Sequence, residues 1–256
     1  MNIFNWDNIE EGFKNFNNEK PFRHSVVDNF LDDDFAKNLS KEIPNFDDEI
    51  WHEYNNAIEI KKTCNNWNLF PKLTYSFLTC LNSSHFIQKI SSYSDITPLY
   101  SDDGLNGGGW HIHANGGKLN PHLDYSMHPK LELQRKLNLI LYLQEDWQDS
   151  WGGHFGLYSN GEPVKKLEKE IVPKFNRAVF FDTTEDSWHG LSQEVNTPNN
   201  ICRKSIAVYY LTDPPSNVDR RGKALYSPTE DQKEDQKIAD LIEKRSSINK
   251  SSSVYK

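Results

Sequence analysis

From Trp110 to Leu211 the chain is cut into short apolar-rich runs, separated by clusters of Gly, Pro, Asn and Asp. The runs are WHIHA, PHLDYS, KLNLILYLQ, GHFGLYS, EIVP, RAVFFD, SWHGL and RKSIAVYYLT, eight β-like stretches in about 100 residues. Runs of this length at this spacing predict a sandwich or jelly roll. Before residue 100 the apolar spacing turns helical. NFLDDDFAKNLSKEIP has an acidic start, apolar Phe35 and Leu39, and a stop at Pro44. LFPKLTYSFLTCLNSSHFIQKISSY predicts two helices broken near Asn82-Ser83-Ser84. After Asp213-Pro214-Pro215 comes a polar tail in which TEDQKEDQKIADLIEKR predicts a terminal helix with apolar Ile238, Leu241 and Ile242. The closing SSINKSSSVYK is expected to fray. The expected architecture is mainly β with helical support, a single domain over residues 1–256. In it, 1–100 form mostly helical bracing, 101–213 a jelly-roll core, and 214–256 a polar tail carrying a helix.

Composition narrows the class. Hydrophobic residues are 36% and aromatic residues 12%, enough for a core, while a mean hydropathy of −0.78 implies very polar loops and surface. A net charge of −8 opposes phosphate backbones, so nucleic-acid binding is not expected, and it favours a neutral or basic partner such as a peptide. No apolar run approaches the roughly 20 residues of a membrane span, and MNIFNWDNIEEGF lacks a signal-peptide core. Cys64, Cys80 and Cys202 follow neither disulfide nor zinc-finger spacing, as expected of a reduced cytoplasmic protein. The glycine-rich GLNGGGW at 104–110 lacks the lysine and the strand–loop–helix setting of a phosphate cradle.

The candidate chemistry begins at NPHLDYSMHP. Residues i and i+2 of an extended segment share a side, so His122 and Asp124 can aim an imidazole and a carboxylate at one point. Alone, that pair is as well read as a polar turn. His189 in DSWHGL, 67 residues on, can be returned to it by a jelly roll. Two histidines and a carboxylate on one face, with open positions opposite, suit non-haem Fe(II); a closed structural zinc site would take four ligands. Such an ion chelated by a 2-oxo diacid leaves a distal carboxylate that needs a buried cation. Arg203, 14 residues after His189, offers a planar fork that stays protonated. Asn138 and Tyr142 lie four apart on one strand and share a face, one to orient the ligand and one to donate a phenolic hydrogen bond. Arg203 is alternatively a sheet-edge charge and Tyr142 a core tyrosine. A buried Asn138 must find partners in any reading.

PHLDYSMHP, RKLNLILYLQEDWQDSWGGHFGLY, DSWHGL and RKSIAVYYL together resemble the 2-oxoglutarate/Fe(II)-dependent dioxygenase superfamily, in its prolyl-4-hydroxylase-like branch. The likeness covers roughly Trp110 to Leu211, more weakly VVDNFLDDDFAKNLSKEIP. It implies a double-stranded β-helix with iron held by His122, Asp124 and His189. It also implies that Arg203 binds the far carboxylate of 2-oxoglutarate, with Tyr142 beside it. The implied reaction consumes O2 and 2-oxoglutarate, releases succinate and CO2, and hydroxylates an unactivated C–H, with ascorbate supportive. A carboxylate at Asp124 leaves no place for halide, which favours hydroxylation over halogenation. One departure stands out. Many relatives carry a cosubstrate-binding tyrosine on the strand before H-x-D, where this chain reads GWHIHANGG, so Ile112, His111 or His113 takes that place.

The substrate implied is a prolyl residue in a peptide, with a free amino acid, a sugar or another small molecule as alternatives. A cupin-like metal binder, or a 2-oxoglutarate sensor without turnover, is the rival reading, and the chain is expected to be a monomer or homodimer. The apolar side of the terminal helix serves either a second copy or its own domain.

Overall fold

The computed structural model describes residues 3–198 and 200–247. The first hundred residues carry α1 (Trp6–Phe13), β1 (His24–Val27), α2 (Asp33–Lys41), β2 (His52–Asn56), β3 (Glu59–Cys64), α3 (Lys72–Leu81) and α4 (Ser84–Ser94). Next come β4 (Tyr100–Ser101), β5 (Gly109–His113), β6 (Lys118–Leu119), β7 (His122–Leu123) and β8 (Gln134–Tyr142). They are followed by β9 (Phe155–Ser159), β10 (Lys166–Ile171), β11 (Ala178–Asp182), β12 (Trp188–Leu191) and β13 (Arg203–Thr212). The last described elements are β14 (Leu225–Tyr226) and α5 (Gln236–Ser246).

Two antiparallel sheets face each other as a jelly roll. The larger runs β1-β11-β8-β13-β5-β3-β2, with β4 also on β13 and β6 on β3; the smaller runs β10-β9-β12-β7-β14. Alternation along β8 and β13 divides the molecule into two compartments. Leu137, Leu139, Leu141, Ile206, Val208 and Tyr210 turn to the outer face, where they join one core with Phe13 of α1, Leu39 of α2, Phe77 of α3 and Phe86 of α4. Asn138, Ile140, Ser205, Ala207 and Tyr209, at the alternate positions, line a cavity between the sheets. The helices thus brace the sheet from outside and leave its inner face to the site.

Local signals place these helices. The Asp32 carboxylate accepts from the Phe35 amide at 3.0 Å and caps α2, whose first turn holds Asp33 and Asp34. α3 ends at Leu81 and α4 starts at Ser84, with Ser83 as its cap, at the break the sequence predicts. The terminal helix forms as α5, and its Ile238, Leu241 and Ile242 pack with Ile58 and Tyr226 of the same chain. The stretch expected to fray lies, from residue 248, outside the described residues.

Three differences from the sequence reading bear on function. Residues 1–100 are not helical bracing alone, because β1, β2 and β3 extend the larger sheet. β3 escapes a hydrophobic pattern because its inward residues Glu59, Lys61 and Thr63 face a polar cavity. PHLDYS keeps strand pairing only at His122–Leu123, and EIVP is the end of the longer, polar β10. The three cysteines are free, and no helix among the described residues is long and apolar enough to cross a membrane.

Candidate active site

The smaller sheet brings the proposed ligands together. In β7, two residues long, His122 stands directly opposite His189 of β12 and, on its other side, Tyr226 of β14. Asp124 lies just past the end of β7. One ligand atom from each of His122, Asp124 and His189 falls within 4.8 Å of the other two. His122 Nε2 is 3.7 Å from Asp124 Oδ1, and His189 Nε2 is 3.7 Å from Asp124 Oδ2.

The surroundings of the two imidazoles set their tautomers. His122 Nδ1 is 3.0 Å from the Asn120 carbonyl and His189 Nδ1 is 2.8 Å from the Ser187 carbonyl. A carbonyl only accepts, so each Nδ1 carries the proton and each Nε2 presents its lone pair to the common point. Burial, followed by the neighbouring His189, pulls His122 down to about 3, and burial likewise lowers His189. Both rings are therefore neutral, the form that binds a metal. Burial pushes the Asp124 carboxyl up, but its surroundings, with the Arg135 guanidinium and the Lys61 ammonium among them, hold it below its usual range. Asp124 Oδ2 is buried without a hydrogen-bond partner. A buried carboxylate oxygen left unpaired between two imidazole lone pairs fits a divalent cation and is costly without one.

On the larger sheet Arg203 is 3% exposed, with Nε donating to the Gly153 carbonyl at 2.8 Å. The ring of Tyr142 lies 4.7 Å from its guanidinium carbon, within an apolar cluster that includes Phe155, Leu157 and Phe181. Arg203 and Asn138 line the cavity, while Tyr142 lies behind its wall, buried against Arg203. Burial lowers Arg203, which Tyr142 opposes, but a guanidinium titrates so high that it stays charged. His113 is paired across the strands with Arg203. Both of its ring nitrogens and Asn138 Oδ1 are buried without partners. Burial first, then Arg203 and Lys61, drive His113 far below its ordinary value, so it is a neutral imidazole. His111, brought down to about 3 by burial and Lys61, is engaged by the Gly107 carbonyl at 3.2 Å. A buried guanidinium among unpaired neutral donors and acceptors suits a carboxylate-bearing ligand. Of the three residues on the strand before H-x-D, His113 is the one with unmet hydrogen-bonding capacity at Arg203.

The cavity has a volume of about 400 Å³, and part of its wall went unnoticed in the sequence. Arg135, 2% exposed, is held between the rings of Tyr125 and Tyr209 at 3.5 and 3.6 Å. It donates to the Tyr125 hydroxyl and the Asn106 carbonyl, and its Nη1 is 4.0 Å from Asp124 Oδ1. This contact gives the glycine-rich loop a role. Gly107 has a φ of +77° and lies so close that a Cβ there would meet Arg135 Nη2 at 2.8 Å. Nothing in RKLNLILYL marks its first residue as turned inward, since Arg135 has the parity of the outward Leu137, Leu139 and Leu141. Glu59, 2% exposed, lies 2.9 Å from both Lys61 Nζ and Arg245 Nη2, and the Tyr226 hydroxyl donates to it at 3.3 Å. These residues come from β3 and the polar tail, where no motif marks them.

Residues 108–212 match the family model of the 2OG-Fe(II) oxygenase superfamily. The chain is 26% identical over 216 residues to prolyl 3-hydroxylase OGFOD1 of Mus musculus, an alignment covering 77% of this chain and 34% of that protein. The chain thus spans about a third of that curated relative's length. A prolyl-4-hydroxylase structure from Pseudomonas putida superposes with a TM-score of 0.58 at 15% identity, covering 80% of this chain and all of that one. A Trichoplax adhaerens prolyl hydroxylase in complex with a hypoxia inducible factor peptide fragment gives 0.57 at 16% identity, covering 79% and 89% respectively.

Proposed function

We propose that this chain, whose residues 108–212 match the 2OG-Fe(II) oxygenase superfamily, is an Fe(II)- and 2-oxoglutarate-dependent hydroxylase acting on a prolyl residue of a peptide. The convergence of His122, Asp124 and His189 beside the buried Arg203 carries this reading. The prolyl hydroxylases among the similar proteins support the choice of substrate. The three unpaired cysteines fit a reducing compartment, so the proposed location is the cytoplasm.

Bound iron with 2-oxoglutarate supplies the O2 activation and C–H oxidation that no side chain provides. The protein contributes position and exclusion. His122 and His189 offer Nε2, fixed by their Nδ1–H bonds to Asn120 and Ser187, and Asp124 offers its unpaired oxygen. Arg203 takes the far carboxylate of the cosubstrate, backed by Tyr142, while Asn138 and His113 orient it from the side. Ile140, Phe155 and Leu191 give this end of the cavity an apolar lining that keeps water from the reacting centre. His122, Asp124 and His189 would hold the ion as an open three-residue set, unlike the four ligands of a closed structural site.

The test is release of succinate from 2-oxoglutarate by purified protein with Fe(II) and ascorbate, including slow turnover uncoupled from any peptide. Asp124→Ala is expected to abolish release. Full activity in that variant would overturn the ligand assignment. Binding of 2-oxoglutarate with no succinate formed would favour the sensor reading.

A further inference from the structure

The cavity and the whole chain carry opposite charge. The chain is −8 overall, yet the described residues lining the cavity include Lys61, Arg135, Arg203, Lys223 and Arg245 against only Glu59 and Asp124. On the proposed function, a divalent ion, Asp124, dianionic 2-oxoglutarate and Arg203 neutralise one another. Lys61, Arg135 and Lys223 then remain around the space left for substrate, where the carboxylate is that of Glu59, so positive charge is in excess there. Excess charge enclosed by protein is unfavourable until a counter-charge arrives, and the same field draws that counter-charge in.

Lys61 is the centre of this field. Its side chain is 13% exposed, and it extends from the inner face of β3, in line with Glu59 and Thr63. Its ammonium stands 5.2 Å over the ring of Tyr54. It lines the same cavity as His111, His113, His122, Asp124 and His189. Its partner Glu59 is shared with Arg245, so one carboxylate serves two cations. The open end of the cavity is marked by exposed His52 and part-exposed Tyr54, Lys61 and Lys223.

We propose, on the basis of the hydroxylase reading above, that the mouth of this cavity selects a peptide carrying a side-chain carboxylate close to the residue that is hydroxylated, with Lys61 as its counter-ion. A single ammonium that already shares a carboxylate suits a monoanion; a phosphate dianion is better matched by a free arginine fork. The acidic exterior then repels bulk anions while the cavity receives one that is sterically admitted.

The test measures binding and needs no turnover. Heptapeptides centred on proline carry Asp at each flanking position in turn, beside Asn and Lys counterparts. Each is titrated calorimetrically into the full chain holding Ni(II) and 2-oxoglutarate. At one position or more, the Asp peptide is expected to bind about 10-fold more tightly than its Asn counterpart, with Lys weaker still, and the gap should narrow as salt rises. Lys61→Met should bring the Asp-to-Asn ratio close to one. Lys223→Gln, a second change in the cavity lining that keeps Lys61, should reduce it in part. Equal affinity of Asp and Asn peptides at every position, a preference for Lys, or an unchanged ratio in Lys61→Met overturns the proposal. Failure of succinate release with the Asp preference intact would overturn the hydroxylase reading instead.

Discussion

Arg203 and Arg135 are both buried guanidiniums, yet only Arg203 was picked out in the sequence. Arg203 was found because it follows the second histidine at a spacing with chemical meaning. Arg135 was missed because nothing in RKLNLILYL says that its first residue turns inward between two tyrosines. Their substitutions should separate. On the proposed function, Arg203→Ala would remove the partner of the distal carboxylate and should raise the 2-oxoglutarate requirement about 100-fold, as expected when a buried charge pair loses one member. Metal affinity should stay close to that of the parent; titrating both ligands by calorimetry checks this. Arg135 approaches Asp124 itself, so Arg135→Lys should act on the metal. An ammonium keeps the charge but cannot stack flat between Tyr125 and Tyr209 while donating to Asn106. Metal affinity should fall roughly 10–100-fold, the usual cost of losing support behind a ligand.

Among the elements, β7 shows how little secondary structure the site needs and where its support comes from. Its two residues are held by β12 on one side and β14 on the other. β14 and α5 both lie in the tail that sequence reading left unexplained. The ring of Tyr226 stacks on His122 at 5.4 Å and 20°, and Asn120 donates to the Ser227 carbonyl at 3.0 Å and to Gln232 Oε1 at 2.6 Å. Asn120 thus ties the carbonyl that sets the His122 tautomer to the tail. Asn120→Ala should weaken metal binding by about 10-fold or more while leaving the jelly roll folded, measured by metal titration beside circular dichroism. The strands of the catalytic core were legible because each has one face on an apolar core. β3 and β14 were not, because their inward residues meet polar partners or metal ligands and carry no hydrophobic alternation. Spacing in the sequence singles out His122, Asp124, His189, Arg203, Asn138 and Tyr142 as candidates, but nothing in it marks the residues packed around them.

Taken as a whole, the molecule keeps four imidazoles neutral inside one cavity. His111 and His122 are brought down to about 3, and His113 and His189 are lowered, with burial the leading cause for all four. In the unfolded chain these rings titrate near 6.5. Between about pH 6.5 and 3 the unfolded state therefore binds protons that the folded state refuses, and stability must fall as pH falls through that window. The carboxyls of Asp124 and Glu59, both held below their ordinary values, add a further loss in the acid range. Melting of the metal-free chain should drop steadily from pH 7 to 5; a flat profile would mean that the rings accept protons in place. Metal binds the same neutral rings, so it acts against protonation and stabilises only the folded state. Excess Ni(II) should raise the melting temperature at pH 7 and at pH 5 alike, because burial keeps the folded His122 ring neutral at both and leaves its Nε2 to the ion. Asp124→Ala should lose most of that rise while keeping the pH dependence of the metal-free chain, because the four buried imidazoles remain. Melts of both proteins at the two pH values, with and without the ion, separate the cost of burying the histidines from the gain of joining them.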